Sequence, residues 1–258
     1  MPQEYRNIDE VIKIAKLCAK IILENGGETY RAEETVYRVC TGLGFKETDV
    51  FAIPTGVFIT ISKDGVSTST TLKRIRKRGA NLQAIETVNS VARQLTAGNV
   101  TTGHALEILR ALPEEKAGEN NLYVAAAGFA SGFSALLFKG SIADFIAAAI
   151  CGMIVQLVAR YIKTVDMYNF AISIFGGFII GVCSVAFVKL TGRGDLEKII
   201  TGAIMPLLPG IPMTNAIRDT MRGDLLSGVS RAAEALLIAV ALAFGAGVVL
   251  KLYFKFMV

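Results

Sequence analysis

The chain has 258 residues, 52% of them hydrophobic, with a mean hydropathy of +0.49 and a net charge of +5. That is too apolar for one soluble domain and, at 19% charged, too polar for a plain membrane bundle. The modest basic surplus suits a protein facing anionic lipid and does not demand nucleic acid. Charge is also segregated: the sequence is mixed up to about Asn121, and long apolar runs dominate beyond it. The fold class expected is a membrane α-helical bundle with an N-terminal soluble α+β domain, divided as 1–118 and 119–258. The polar start MPQEYRNIDEVIK is not a signal peptide, so the first domain is expected to stay in the cytoplasm. Cys18, Cys40, Cys151 and Cys183 form no C-x-x-C pair, and the single histidine, His104, has no cysteine nearby. Neither a metal site nor a cofactor is expected.

In the first domain, Val11, Ala15, Cys18 and Ile22 recur at helical spacing, with Asp9 as N-cap and Asn25-Gly26-Gly27 as the stop. Ala32, Val36, Val39 and Leu43 repeat the pattern up to Gly44. Val57, Ile59 and Ile61 alternate at strand period, Asp64-Gly65 signals a hairpin turn, and a Thr/Ser-rich strand returns from Val66 to Leu72. Leu82, Ile85, Val88, Val91 and Leu95 predict a third helix. Ala105, Ile108, Leu109 and Leu112 predict a fourth, closed by Pro113. The basic run Lys73–Arg78 reads either as a holder of anionic headgroups or as a solvated loop. His104 reads as a surface or structural residue.

Five apolar runs follow, at about 122–138, 142–159, 170–190, 199–213 and 225–254. About 20 helical residues cross a bilayer core, so the first two are slightly short and the fourth clearly short. Gly128-x-x-x-Gly132 and Gly177-x-x-x-Gly181 predict close helix contacts. Asp144 reads as an interfacial cap or a weaker binding candidate. Arg193-Gly194-Asp195 matches an adhesion tripeptide only by coincidence in a Gly-rich turn.

The fourth run is the most informative. Pro206, Pro209, Gly210 and Pro212 break it, and Arg218, Asp219, Arg222, Asp224, Arg231 and Glu234 follow. Proline removes a backbone donor and clashes with the preceding turn, so no regular helix passes through. A broken, charged segment at membrane depth reads as a binding site. Arginine offers a fork for a carboxylate, and a helix starting near Thr214 and Asn215 adds backbone donors. Asn215, Arg218, Asp219, Arg222 and Asp224 are therefore the expected substrate contacts, for an anionic solute such as an amino acid or dicarboxylate. Asp219, Asp224 or Glu234 suits a coupling proton or an amine, with Asp224 and Glu234 assigned to the proton.

Three stretches make the sequence resemble the threonine/serine exporter family: ILENGGETYRAEETVYRVCTGLGF ending at Phe45, IPTGVFITIS at 53–62, and MPLLPGIPMTNAIRDTMRGDLLSGVSRAAEALLIA at 205–239. The resemblance implies a plasma-membrane exporter of small amino acids with a cytoplasmic N-terminal domain. It implies, for a chain of this length, a smaller membrane protein that completes the transporter, and one split branch is associated with dicarboxylates such as succinate. It also sets Pro206, Pro209, Gly210, Pro212, Asn215, Arg218, Asp219, Gly223, Asp224 and Glu234 on the family's motif. The Gly-Glu-Thr stretch gains no role from sequence. An enzyme reading lacks a nucleophile–base pair or metal set. A membrane-anchored sensor or scaffold, working through the N-terminal domain, is the alternative of a different class.

Overall fold

The computed structural model describes residues 8–63, 67–76, 79–112, 121–162 and 169–257. The Asp64-Gly65 turn, Lys77, Arg78 and Pro113 lie outside them. The described chain divides into two compact units that do not follow chain order: Met1–Glu115 with Ile211–Ala232, and Lys116–Gly210 with Ala233–Val258.

In the first unit, α1 (Ile8–Glu24) buries Val11, Ile14, Ala15, Cys18 and Ile22 along one stripe. Asp9 lies inside its first turn rather than capping it. The chain turns through Gly26, whose φ of 84° is cheap only for glycine, into α2 (Thr29–Gly42). Three strands follow as an antiparallel meander: β1 (Glu47–Ile53), β2 (Gly56–Lys63) and β3 (Ser67–Arg74). Val57, Ile59 and Ile61 turn one face of β2 into the core. Strand β1 is the element the sequence reading misses. Its inward positions are Thr48, Val50 and Ala52, while Phe51 points out, so the inward face carries a single large apolar residue and the largest apolar side chain faces away from the core. Helices α3 (Leu82–Thr96) and α4 (Thr102–Ala111) close the core, capped by the Asn81 and Thr101 side chains. Burial pushes the Cys18 and Cys40 thiols up to about 12, as inert packing residues. His104 is exposed, 3.5 Å from Glu107.

The second unit holds α5 (Asn121–Leu137), α6 (Ile142–Ile162), α7 (Asn169–Thr191), α8 (Leu196–Ile204) and a 3-10 turn (Met205–Leu207). It also takes the part of α10 (Leu225–Met257) from Ala233 onward. Among the described residues, three helices are long and apolar enough to cross a membrane: 142–161, 170–191 and 225–256. A broken pair, α8 with its 3-10 turn plus α9 (Gly210–Met221), makes up to four; α5 is apolar but shorter.

Both small-residue pairs sit at helix crossings. A Cβ at Gly128 or Gly132 would strike Met153 or Phe145 of α6, and one at Gly177 would lie 2.2 Å from the Leu242 carbonyl of α10. Asp144 is a cap. It accepts from the Ser141 N–H at 2.6 Å and hydroxyl at 2.8 Å, and from the Asp195 N–H at 2.6 Å, so one buried carboxylate joins the starts of α6 and α8. Asp195 in turn caps α8, which gives the Arg-Gly-Asp tripeptide a structural place.

Candidate functional site

The break falls between Ile204 and Gly210. Pro206 lies in the 3-10 turn, and Leu208 and Pro209 are outside any helix. Pro212 behaves differently. It occupies the first turn of α9, where a missing N–H costs nothing, so it opens that helix instead of interrupting it. The helix therefore starts at Gly210, ahead of the start near Thr214 read from sequence. It ends at Met221, where Gly223 takes φ 90° and Asp224 stands directly before α10.

Within the first unit, α9 turns Asn215, Ala216 and Asp219 inward. Asn215 Nδ2 donates to the Gly26 carbonyl at 2.8 Å, and Arg218 donates to Glu28 Oε1 at 2.5 Å. Arg231, from the first turns of α10, donates to the Gly27 carbonyl at 2.9 Å. Its Nε also sits 3.0 Å from Asp219 Oδ2, close enough for an ion pair but without hydrogen-bond alignment. The Arg222 guanidinium stacks 3.6 Å from the Tyr30 ring centroid. Asp219 is 0% and Arg231 8% exposed, whereas the Arg218 side chain is 55% exposed. Arg222 is exposed and Asp224 half-buried.

All these contacts meet the turn from Gly26 to Tyr30, the Gly-Glu-Thr stretch. Glu28 is the N-cap of α2 by backbone angle, yet its side chain caps nothing. The carboxylate serves Arg218 and Arg31, the latter at 3.2 Å. Asp219 faces the Thr29 hydroxyl and N–H at the helix start, a position the helix dipole favours for an anion. Gly27 has no room for a side chain: a Cβ would lie 2.4 Å from Ile22 Cγ2.

Asn215, Arg218, Asp219 and Arg222 thus converge on one surface of the N-terminal fold. Asp224 enters through its backbone N–H, which donates to the Asp219 carbonyl at 2.9 Å, and through its charge, felt by Glu33 and Asp219. Glu234 belongs to the second unit. The sequence reading did not select Glu28, Thr29, Tyr30 or Glu33, and counted Arg231 only as a neighbouring charge. One available signal was Gly-Gly followed by a poor capping residue at a helix start.

Two of these carboxyls titrate in opposite senses. Burial raises the Glu28 carboxyl, but the Glu28 N–H, Arg218 and Arg31 outweigh it and hold the group below its ordinary 4.5. Burial raises Glu33 above 4.5, and Asp224 and Asp219 add to that against the Ala52 N–H, which donates at 2.7 Å. Glu28 therefore contributes stability that is present above 4.5 and lost as pH falls through its lower folded value. Glu33 contributes stability that is present below 4.5 and lost as pH rises through its higher folded value. Glu28→Gln is expected to weaken the protein at neutral pH and to converge with wild type in acid. Glu33→Gln is expected to match or exceed wild type at neutral pH, with the advantage shrinking in acid. Unfolding midpoints in detergent at several pH values check both.

The sequence profile of the threonine/serine exporter family, ThrE, matches residues 13–253. The chain belongs to the threonine/serine exporter family. That membership places it among transport proteins, not enzymes, and its apolar helices make it a membrane protein. It is 21% identical over 239 residues to a Mycobacterium tuberculosis protein named "Probable threonine/serine exporter", covering 92% of this chain and 45% of that one. The chain thus spans less than half the length of that exporter. It is 23% identical over 246 residues to the Klebsiella aerogenes "Probable succinate transporter subunit YjjP", covering 91% of each. No solved structure matches.

Proposed function

We propose that this chain is a subunit of a secondary transporter that exports small amino acids, threonine or serine, across the plasma membrane using the proton-motive force. Its N-terminal domain faces the cytoplasm, and a smaller membrane protein completes the pathway. The observation that carries this reading is the ionic cluster where α9 meets the Gly26–Tyr30 turn, with Arg218 exposed and paired to buried Glu28. In this reading Asn215, Arg218, Asp219, Arg222 and Asp224 recognise the solute. Arg218 offers its guanidinium to a carboxylate in competition with Glu28, and the acids receive the ammonium group. Asp224 and Glu234 carry the coupling proton.

A second reading is export of small dicarboxylates such as succinate. It is favoured by the 91% reciprocal coverage of the relative named as a succinate transporter subunit. The arginines then bind both carboxylates and need no acidic partner for an amine. An N-terminal sensor or scaffold is the reading of a different class, supported only if the domain binds ligand without transport.

Counterflow in proteoliposomes, with and without the partner chain, compares threonine, serine and succinate directly. Arg218→Ala and Asp224→Asn are expected to abolish uptake of the transported solute, with the unfolding midpoint near wild type for Asp224→Asn and lowered for Arg218→Ala, which takes from Glu28 one of its two cations. Unchanged counterflow in both variants overturns the site.

A further inference from the structure

Arg74 and Arg76, from the basic run that begins at the end of β3, have no place in the solute site, and the sheet they border has an unusual outer face. Phe51, Phe58 and Leu72 are 54%, 44% and 55% exposed. They are not scattered. Strand register sets Phe51 opposite Phe58 and Phe58 opposite Leu72, one row running across all three strands. The two phenyl rings touch, with centroids 6.3 Å apart.

The face is also polarised. The next row toward the β1–β2 turn is Ile53, Gly56 and Arg74, and exposed Arg76 lies just beyond. The next row the other way is Asp49, Thr60 and Thr70, followed by Glu47. Apolar bulk and positive charge thus share the turn end, and both acids lie at the opposite end. An aromatic row costs free energy in water, and arginines at its border attract lipid phosphates. The acids sit where they do not approach an anionic surface. The chain carries apolar helices long enough to span a membrane, so the domain is tethered to a lipid-bound chain.

We propose that the outer face of the sheet docks on an anionic bilayer surface. Phe51, Phe58 and Leu72 enter the headgroup region, and Arg74 and Arg76 hold lipid phosphates. The docking is independent of which solute is exported.

The chain contains no tryptophan, so one introduced indole reports its own position. Phe58→Trp, made in the full chain and reconstituted with brominated acyl lipids, is the test. In vesicles containing phosphatidylglycerol the emission is expected to be blue-shifted and quenched by bromine. In pure phosphatidylcholine it is expected to be red-shifted and unquenched. Adding Arg74→Gln and Arg76→Gln is expected to reduce the docked-to-free ratio about fivefold per arginine. Phe51→Trp, in the same row, repeats the measurement if Phe58→Trp lowers the unfolding midpoint. Water-like emission in both lipids overturns the proposal. So does a blue shift without bromine quenching, which signals a protein covering the row, a second copy included. Quenching that ignores lipid charge and both arginines overturns it as well.

Discussion

Replacing Arg231 with alanine is expected to lower the unfolding free energy by about 3–5 kcal/mol, the usual cost of stranding one member of a buried ion pair. Asp219 is fully buried and Arg231 nearly so. Two losses combine: the 3.0 Å contact with Asp219 and the hydrogen bond to the Gly27 carbonyl. What remains is a carboxylate with no compensating cation and a carbonyl with no donor. Replacing both members, Asp219→Leu with Arg231→Leu, is expected to recover most of the loss, because an apolar pair leaves no orphaned charge. Denaturant unfolding in detergent, read by protease resistance of the N-terminal domain, measures both. A single-variant change within about 0.5 kcal/mol, typical of surface substitutions, would show that the pair is solvated.

Gly27→Ala is the second large effect, at about 1–3 kcal/mol for forcing a methyl into filled space. The obstruction is partly backbone: the added Cβ meets Ile22 Cγ2 at 2.4 Å and the Ile22 carbonyl oxygen at 2.8 Å. Ile22 is a fully buried core residue and cannot swing aside. Relief must come from shifting the turn, which carries the acceptors for Asn215 and Arg231. Gly27→Ala should therefore lower the unfolding midpoint and depress counterflow together. Gly103→Ala, where nothing lies within 4 Å, is the control and is expected to leave both near wild type. Equal midpoints for the two variants would contradict the packing argument.

The helices were legible because each carries its own period. Val11, Ala15, Cys18 and Ile22 declare a buried stripe without reference to anything distant. The same holds for β2, where three β-branched residues alternate with outward ones. Strand β1 was not legible, since its inward residues are a threonine, one valine and an alanine and its largest apolar side chain faces out. The charged stretch after the proline break was visible as unusual, but its partner was not. No periodicity links Arg218 to Glu28, which is 190 residues away. The Gly-Glu-Thr turn looked like an ordinary helix boundary, and only the folded chain explains why two glycines and a weak cap stand there. Sequence set Asn215, Arg218, Asp219, Arg222 and Asp224 as solute contacts with Glu234 beside them for the proton; in the fold Glu234 belongs to the second unit.

The discontinuity of the first unit bears on biosynthesis. Its bonds from Asn215, Arg218 and Arg231 close loops of 189, 190 and 204 residues. An N-terminal domain ordinarily matures while the ribosome is still at work. Here the final strut arrives only after every helix from α5 to α9 has been translated and the insertion machinery has handled them. Until then the turn at Gly26–Tyr30 stays uncovered, with Glu28 lacking its α9 arginine. Closure entropy grows slowly with length, so the delay is kinetic more than thermodynamic. Nascent chains stalled before residue 211 should expose this domain to proteases and chaperones, and chains released beyond residue 232 should not.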